Sequence, residues 1–125
     1  MQPRMRVVAT VLGAPDPGAL AAFYERLLGW NRVTDKPNWV TVRPPAGATG
    51  LSFQREPDFV APVWPSTPGD QQIMMHLDIG VDDLDDAVAW AIAAGARLAA
   101  FQPQEHVRVM VDPAGHPFCL FPASV

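Results

Sequence analysis

From Ile73 to Ile79 the side chains alternate with a period of two, placing Met74, His76 and Asp78 on one side and Ile73, Met75, Leu77 and Ile79 on the other. One side is wholly apolar and the other carries two polar groups, which predicts a half-buried strand whose polar face lines a space rather than a sealed core. The period then changes. Asp82 or Asp83 is a good helix N-cap, and Asp85 and Asp86 place negative charge at the positive first turn. Val88, Ala91 and Ile92, with Ala87 and Ala94, form an apolar helical stripe, and Gly95 ends it. The predicted unit is strand, tight turn, helix.

The same reading applies along the rest of the chain. Arg6 to Gly13 alternates as a strand, with Val8, Thr10 and Leu12 on one face. Asp16 caps a helix with Pro17 at its first position, Leu20, Phe23, Tyr24 and Leu27 keep helical spacing, and Gly29 stops it. Short strands follow at Asn31–Thr34, Trp39–Arg43 and Leu51–Arg55, the last two separated by the turn Pro44-Pro45-Ala46-Gly47. Pro57, Pro62, Pro65 and Pro68 exclude helix or central strand over 57–70, so this stretch is an extended connection. It reads as a linker in which Trp64 plugs a gap, or as a loop across a cavity mouth, and the linker reading is preferred. Arg97–Pro103, Val107–Val111 and Phe118–Phe121 supply the final strands, with the turn Asp112-Pro113-Ala114-Gly115 between the last two.

The two halves repeat each other. A shift of 66 residues places Asp16 on Asp82, Ala21 on Ala87 and Gly29 on Gly95, and Pro45-Ala46-Gly47 recurs as Pro113-Ala114-Gly115 two residues out of that register. Each half reads βαβββ, and one half alone would leave an apolar sheet face uncovered. The expectation is one α+β domain over 1–125, with a first module at about 5–56, the proline-rich connection at 57–70 and a second module at about 71–123.

Composition narrows the function classes. A net charge of −4 and singly scattered arginines argue against a nucleic-acid surface. One cysteine leaves no internal disulfide framework and fits a reducing compartment, so the expected location is cytoplasmic. No apolar run reaches membrane-spanning length. Arg4 and Arg6 before Val7–Ala14 imitate a signal peptide, but the repeat needs that segment as a strand, so it is read as mature protein. There is no phosphate-binding glycine loop, no Ser-His-Asp signature and no zinc-type cysteine spacing.

The paired βαβββ pattern, with His76-Leu77-Asp78-Ile79 before Val81-Asp82-Asp83-Leu84 and Asp112-Pro113-Ala114-Gly115-His116-Pro117-Phe118 near the end, resembles the vicinal oxygen chelate superfamily. Within it the chain is most similar to the small glyoxalase-like, bleomycin-resistance-type single-domain proteins. The resemblance implies the glyoxalase/bleomycin resistance/dihydroxybiphenyl dioxygenase fold, a mixed sheet curled into a cup with helices outside and ligand inside, and commonly a homodimer. It also implies a metal site at four positions, one in the first and one in the last strand of each module. Carried onto this chain those are Thr10, Ser52, His76 and Cys119, the last standing where metal-dependent relatives carry Glu. A catalytic zinc takes about three N, S or carboxylate ligands, and a metal used in oxygenase chemistry wants two His and a carboxylate. Only His76 and Cys119 qualify, so the expectation is a degenerate site with no metal and no cofactor.

His76 is then read as a hydrogen-bonded lining residue and Cys119 as a small buried hydrophobe. Gln54 shares a face with Ser52 and Asp78 shares one with His76. The His76–Asp78 pair is open to two readings, an acid/base dyad or a static brace, and the brace is preferred. The expected function is binding of a small, neutral or cationic molecule by Thr10, Ser52, Gln54, His76, Asp78 and Cys119, with Trp39, Trp64 and Phe121 as stacking surface. The alternative is a metal-dependent lyase or isomerase of glyoxalase type using His76, with His76 and Asp78 as catalytic candidates. A third is an interaction module with a vestigial cup.

Overall fold

The structure, a computed structural model, describes residues 1–123. Its contacts divide the chain into two compact units, Met1–Phe59 and a second that begins at Val60. Each unit is a four-stranded mixed sheet with one helix.

In the first unit the elements are β1 (Ala9–Ala14), α1 (Pro17–Leu28), β2 (Asn31–Lys36), β3 (Trp39–Arg43) and β4 (Gly50–Arg55). The sheet order is β1-β4-β3-β2, with β1 parallel to β4 and the other pairs antiparallel. Asp16 caps α1 by accepting from the Ala19 N–H at 3.1 Å, and Gly29 ends it in the left-handed region at φ 70°. Leu20, Phe23 and Tyr24 are buried, and the Tyr24 ring stacks on Phe53 of β4 at 5.6 Å. Phe53 therefore marks the helix-covered side of the sheet, which it shares with Leu51, Val40 and Val42.

The second unit repeats the plan with β5 (Leu77–Val81), α2 (Leu84–Ala94), β6 (Arg97–Leu98), β7 (Arg108–Val111) and β8 (Pro117–Pro122), in the order β5-β8-β7-β6. Asp83, not Asp82, caps α2, its carboxylate accepting from the Asp86 N–H at 2.9 Å. Met110, Phe118 and Leu120 are fully buried on the side where α2 packs, with Ala91 and Ala94 of the helix. Ile92, expected in the apolar stripe, is 49 % exposed, because the short alanine face already fills the contact. The proline-rich stretch packs onto this second unit: the Trp64 indole N–H donates to the Phe101 carbonyl at 3.4 Å, and the two rings lie 6.0 Å apart.

Two strands differ from expectation. β5 starts at Leu77 rather than Ile73, and Met74 and Met75 are exposed. Its parallel partner β8 opens at Pro117, which has no N–H to extend the ladder upstream. The strand expected over 97–103 shortens to Arg97–Leu98, because the Gln102 side chain takes over the edge pairing. Its amide donates to the Ala99 and Val109 carbonyls at 2.8 and 2.9 Å and accepts from the Val109 N–H at 2.8 Å.

The repeat also shifts by one residue in the strands. α1 has twelve residues and α2 eleven, so the terminal glycines match at one offset while caps and strands match at an offset one residue longer. Val11 pairs with Ser52 where Asp78 pairs with Cys119. The counterpart of His76 is therefore Ala9, and Thr10 is corrected to the opposite face.

Candidate functional site

The second unit gathers the chemistry on the face of its sheet away from α2. Parallel pairing of β5 with β8 sets Asp78 directly beside Cys119, and His76 lies two residues upstream on the same side. His76 Nε2 stands 3.0 Å from Asp78 Oδ1, a full ion pair when the imidazole is protonated. One donor atom each from His76, Asp78 and Cys119 falls within a group whose members all lie within 4.8 Å of one another. The side chains of His76 and Asp78 are 46 % and 60 % exposed, so solvent or ligand reaches both.

Cys119 is half-buried and packs against a buried apolar cluster of Ala99, Val109 and Val111. Burial pushes its thiol above the ordinary value, and the negative charge of Asp78 pushes it further the same way. A thiol so placed stays protonated and is no activated nucleophile. Two residues along on the same face, Gly80 pairs with Phe121.

The turn Asp112-Pro113-Ala114-Gly115 fixes β7 against β8 and so fixes where Cys119 stands. Asp112 is 4 % exposed, and its Oδ1 accepts from the N–H groups of Ala114, Gly115 and His116 at 3.0, 3.0 and 2.9 Å. Sequence reading found this turn but missed Asp112 as its anchor. The Asp-x-x-Gly spacing is the signal that carries it.

The remaining expected residues lie elsewhere. In the first unit Ser52 is buried on the face away from α1, beside Thr41, whose hydroxyl accepts from the Thr34 N–H at 3.0 Å. Gln54 is exposed, pairs across the ladder with half-buried Trp39, and donates to Glu56 at 2.7 Å. Thr10 pairs with Leu51 on the helix side and does not join them. Trp64 belongs to the second unit and is engaged with Phe101. A cleft of about 330 Å³ in the first unit, lined by Arg6, Val8, Arg43 and Thr49 among others, contains none of the expected residues.

The four-position metal set implied by the superfamily does not fit. With the register corrected, the first module offers Ala9 and Ser52, neither a competent ligand, and the second offers His76 and Cys119. Asp78 raises the number of competent donors in the neighbourhood to three, which the expectation of an empty site had not counted.

Twin βαβββ units with a polar cluster on an open sheet face define a glyoxalase/bleomycin-resistance-type protein. The model of the Glyoxalase-like domain family matches residues 9–121, and the chain belongs to that family. No curated protein matches it. Among solved structures, a glyoxalase/bleomycin resistance protein/dioxygenase family enzyme from Burkholderia phytofirmans PsJN is 22% identical with a TM-score of 0.69, over 94% of this chain and 98% of that one. The bleomycin resistance determinant encoded on transposon Tn5 is 20% identical, with a TM-score of 0.63 over 97% and 100%. The trypanothione-dependent glyoxalase I of Leishmania major is 20% identical, with a TM-score of 0.65 over 95% and 87%. At these identities the likeness is one of fold. No helix among the described residues is long and apolar enough to cross a membrane.

Proposed function

We propose that this protein binds a small molecule on the open face of its second sheet, above His76, Asp78 and Cys119, rather than catalysing with a metal shared between its modules. One observation carries this reading. Exposed hydrogen-bonding groups stand beside half-buried Cys119 and Phe121 on one sheet face, a mixture of polar and apolar groups suited to a small molecule. The exposed Asp78 carboxylate and the net charge of −4 favour a neutral or cationic ligand. Ser52, Gln54 and Trp39 share the open face of the first unit and are proposed to contribute there. A fold neighbour described as a bleomycin resistance determinant supports binding, and one described as a glyoxalase I supports the alternative, a lyase or isomerase using His76. Binding is preferred because Ala9 and Ser52 leave the first module without a ligand for a glyoxalase-type metal. We further propose a homodimer working in the cytoplasm.

The test is a thermal-shift screen of small molecules in chelator, followed by tryptophan fluorescence titration of each hit. His76→Ala or Asp78→Asn should weaken a true ligand by about 1–3 kcal/mol, the cost of leaving one buried hydrogen-bonding group of the ligand unsatisfied. Wild-type affinity for every hit in both variants refutes the assignment.

A further inference from the structure

We propose that His76, Asp78 and Cys119 form a site for one thiophilic divalent cation of the zinc class, built inside the second unit alone. This differs from the four-position arrangement of the superfamily, because Asp78 is not one of those positions and the first module supplies nothing. The three donors are an imidazole nitrogen, a carboxylate oxygen and a sulfur, all within 4.8 Å of one another. Around four-coordinate zinc, bonds of about 2.0–2.3 Å place neighbouring donors roughly 3.3–3.8 Å apart. His76 Nε2 and Asp78 Oδ1, at 3.0 Å, already stand near that separation. Sulfur has to close by roughly 1.3 Å at most to meet the spacing of about 3.5 Å it would have from N or O. The side chains of His76 and Asp78 are both about half exposed, which leaves them room to adjust.

The donor chemistry selects the ion. A thiolate and an imidazole favour zinc, cobalt or cadmium over magnesium or calcium, which take oxygen ligands. Electrostatics favour it too. A carboxylate beside a thiolate is a repulsive pair, and a divalent cation between them turns repulsion into attraction. On binding, a sulfur–metal bond forms and one proton leaves Cys119 for solvent. Three protein ligands leave one position open, the pattern of an exchangeable site rather than a closed structural one.

The experiment titrates untagged, metal-free protein with Co²⁺ alone and follows the near-ultraviolet thiolate-to-cobalt charge-transfer band. One equivalent should saturate it. Cys119→Ser should abolish the band, and His76→Ala and Asp78→Asn should each weaken binding beyond the roughly 10–100-fold that loss of an outer-sphere partner costs. Asp82→Asn, on the exposed turn before α2, should bind as wild type does. Should Cys119→Ser not fold, saturating Zn²⁺ should still protect the wild-type thiol from iodoacetamide. Absence of a thiolate band, unchanged affinity in His76→Ala and Asp78→Asn, or absence of protection would overturn the site. Because the probe is the metal alone, such a failure leaves the organic-ligand reading standing, and failure of the ligand screen leaves this one.

Discussion

Replacing Asp112 tests the turn on which the position of Cys119 depends. One nearly buried carboxylate oxygen accepts three backbone N–H groups at 2.9–3.0 Å, so Asp112→Ala strips the acceptor from Ala114, Gly115 and His116 together. A hydrogen bond to a charged group contributes about 1.5–3 kcal/mol. Three sharing one oxygen do not add fully, and the half-buried turn lets water reach some of the freed N–H groups. The expected loss is about 2–4 kcal/mol, a large share of the roughly 5–15 kcal/mol that holds a domain together. Asp112→Asn keeps a neutral acceptor of the same shape and should cost about 1 kcal/mol. Urea unfolding followed by circular dichroism and by tryptophan fluorescence reads both. With a slope of about 1–3 kcal/mol per molar, the Ala variant should lower the midpoint by roughly 1–2 M. If Asp112→Ala and Asp112→Asn both stay within about 0.5 kcal/mol of wild type, the turn is not anchored as described.

Further tests address the same unit. Gly115 has φ 103°, and a Cβ there would meet the Ala61 side chain at 2.6 Å, whereas Gly29, at φ 70°, has nothing within 4 Å. Gly29→Ala should cost about 1–2 kcal/mol for the left-handed backbone alone, and Gly115→Ala clearly more in the same urea assay; equal costs would refute the packing of Ala61 on the turn. In chelator at about pH 8, Cys119 should alkylate more slowly than a free peptide thiol, because burial and the Asp78 charge raise its pKa. Asp78→Asn removes one of the two causes, lowers that pKa and raises the thiolate fraction, so alkylation should speed up; an unchanged rate would separate the two side chains. Val11, Val33, Met74, Met75 and Trp90 are all exposed, so light scattering at micromolar concentration should give a dimer mass, and a monomer alone would refute the proposed pairing.

Much of this fold was legible because its punctuation is local. Asp16-Pro17 and Gly29 bound α1, and Trp39–Arg43 is the third strand as read, since caps, turns and short alternating runs depend on neighbours in sequence. What escaped depends on partners distant in sequence. Ile73–Met75 alternates well yet forms no strand, because the ladder partner opens with a proline. Thr10 was placed in the site by matching helix ends, and one residue of difference in helix length turned it to the other face. The site itself was half legible. Alternation placed His76 and Asp78 together, but the adjacency of Asp78 and Cys119 is a parallel pairing between strands about forty residues apart, for which sequence carries no local signal.

The asymmetry between the two modules gives the site its character. The scaffold repeats strand for strand, yet where the second module carries His76, Asp78 and Cys119, the first carries Ala9, Val11 and Ser52. A function divided evenly between the halves would need donors in both, and the first half has none of metal-binding grade at these places. The spacing of the three donors is set by one strand pair, β5 with β8, and by the Asp112 turn that holds β8 in register with β7. On the proposed reading, recognition chemistry is concentrated in one sheet. The open face of the other, with Val11, Ser52, Thr41 and the Trp39–Gln54 pair, is suited to shape and hydrogen bonding rather than to charge. On the proposed reading, changes at His76, Asp78 or Cys119 should alter whether a ligand is held on the second sheet at all.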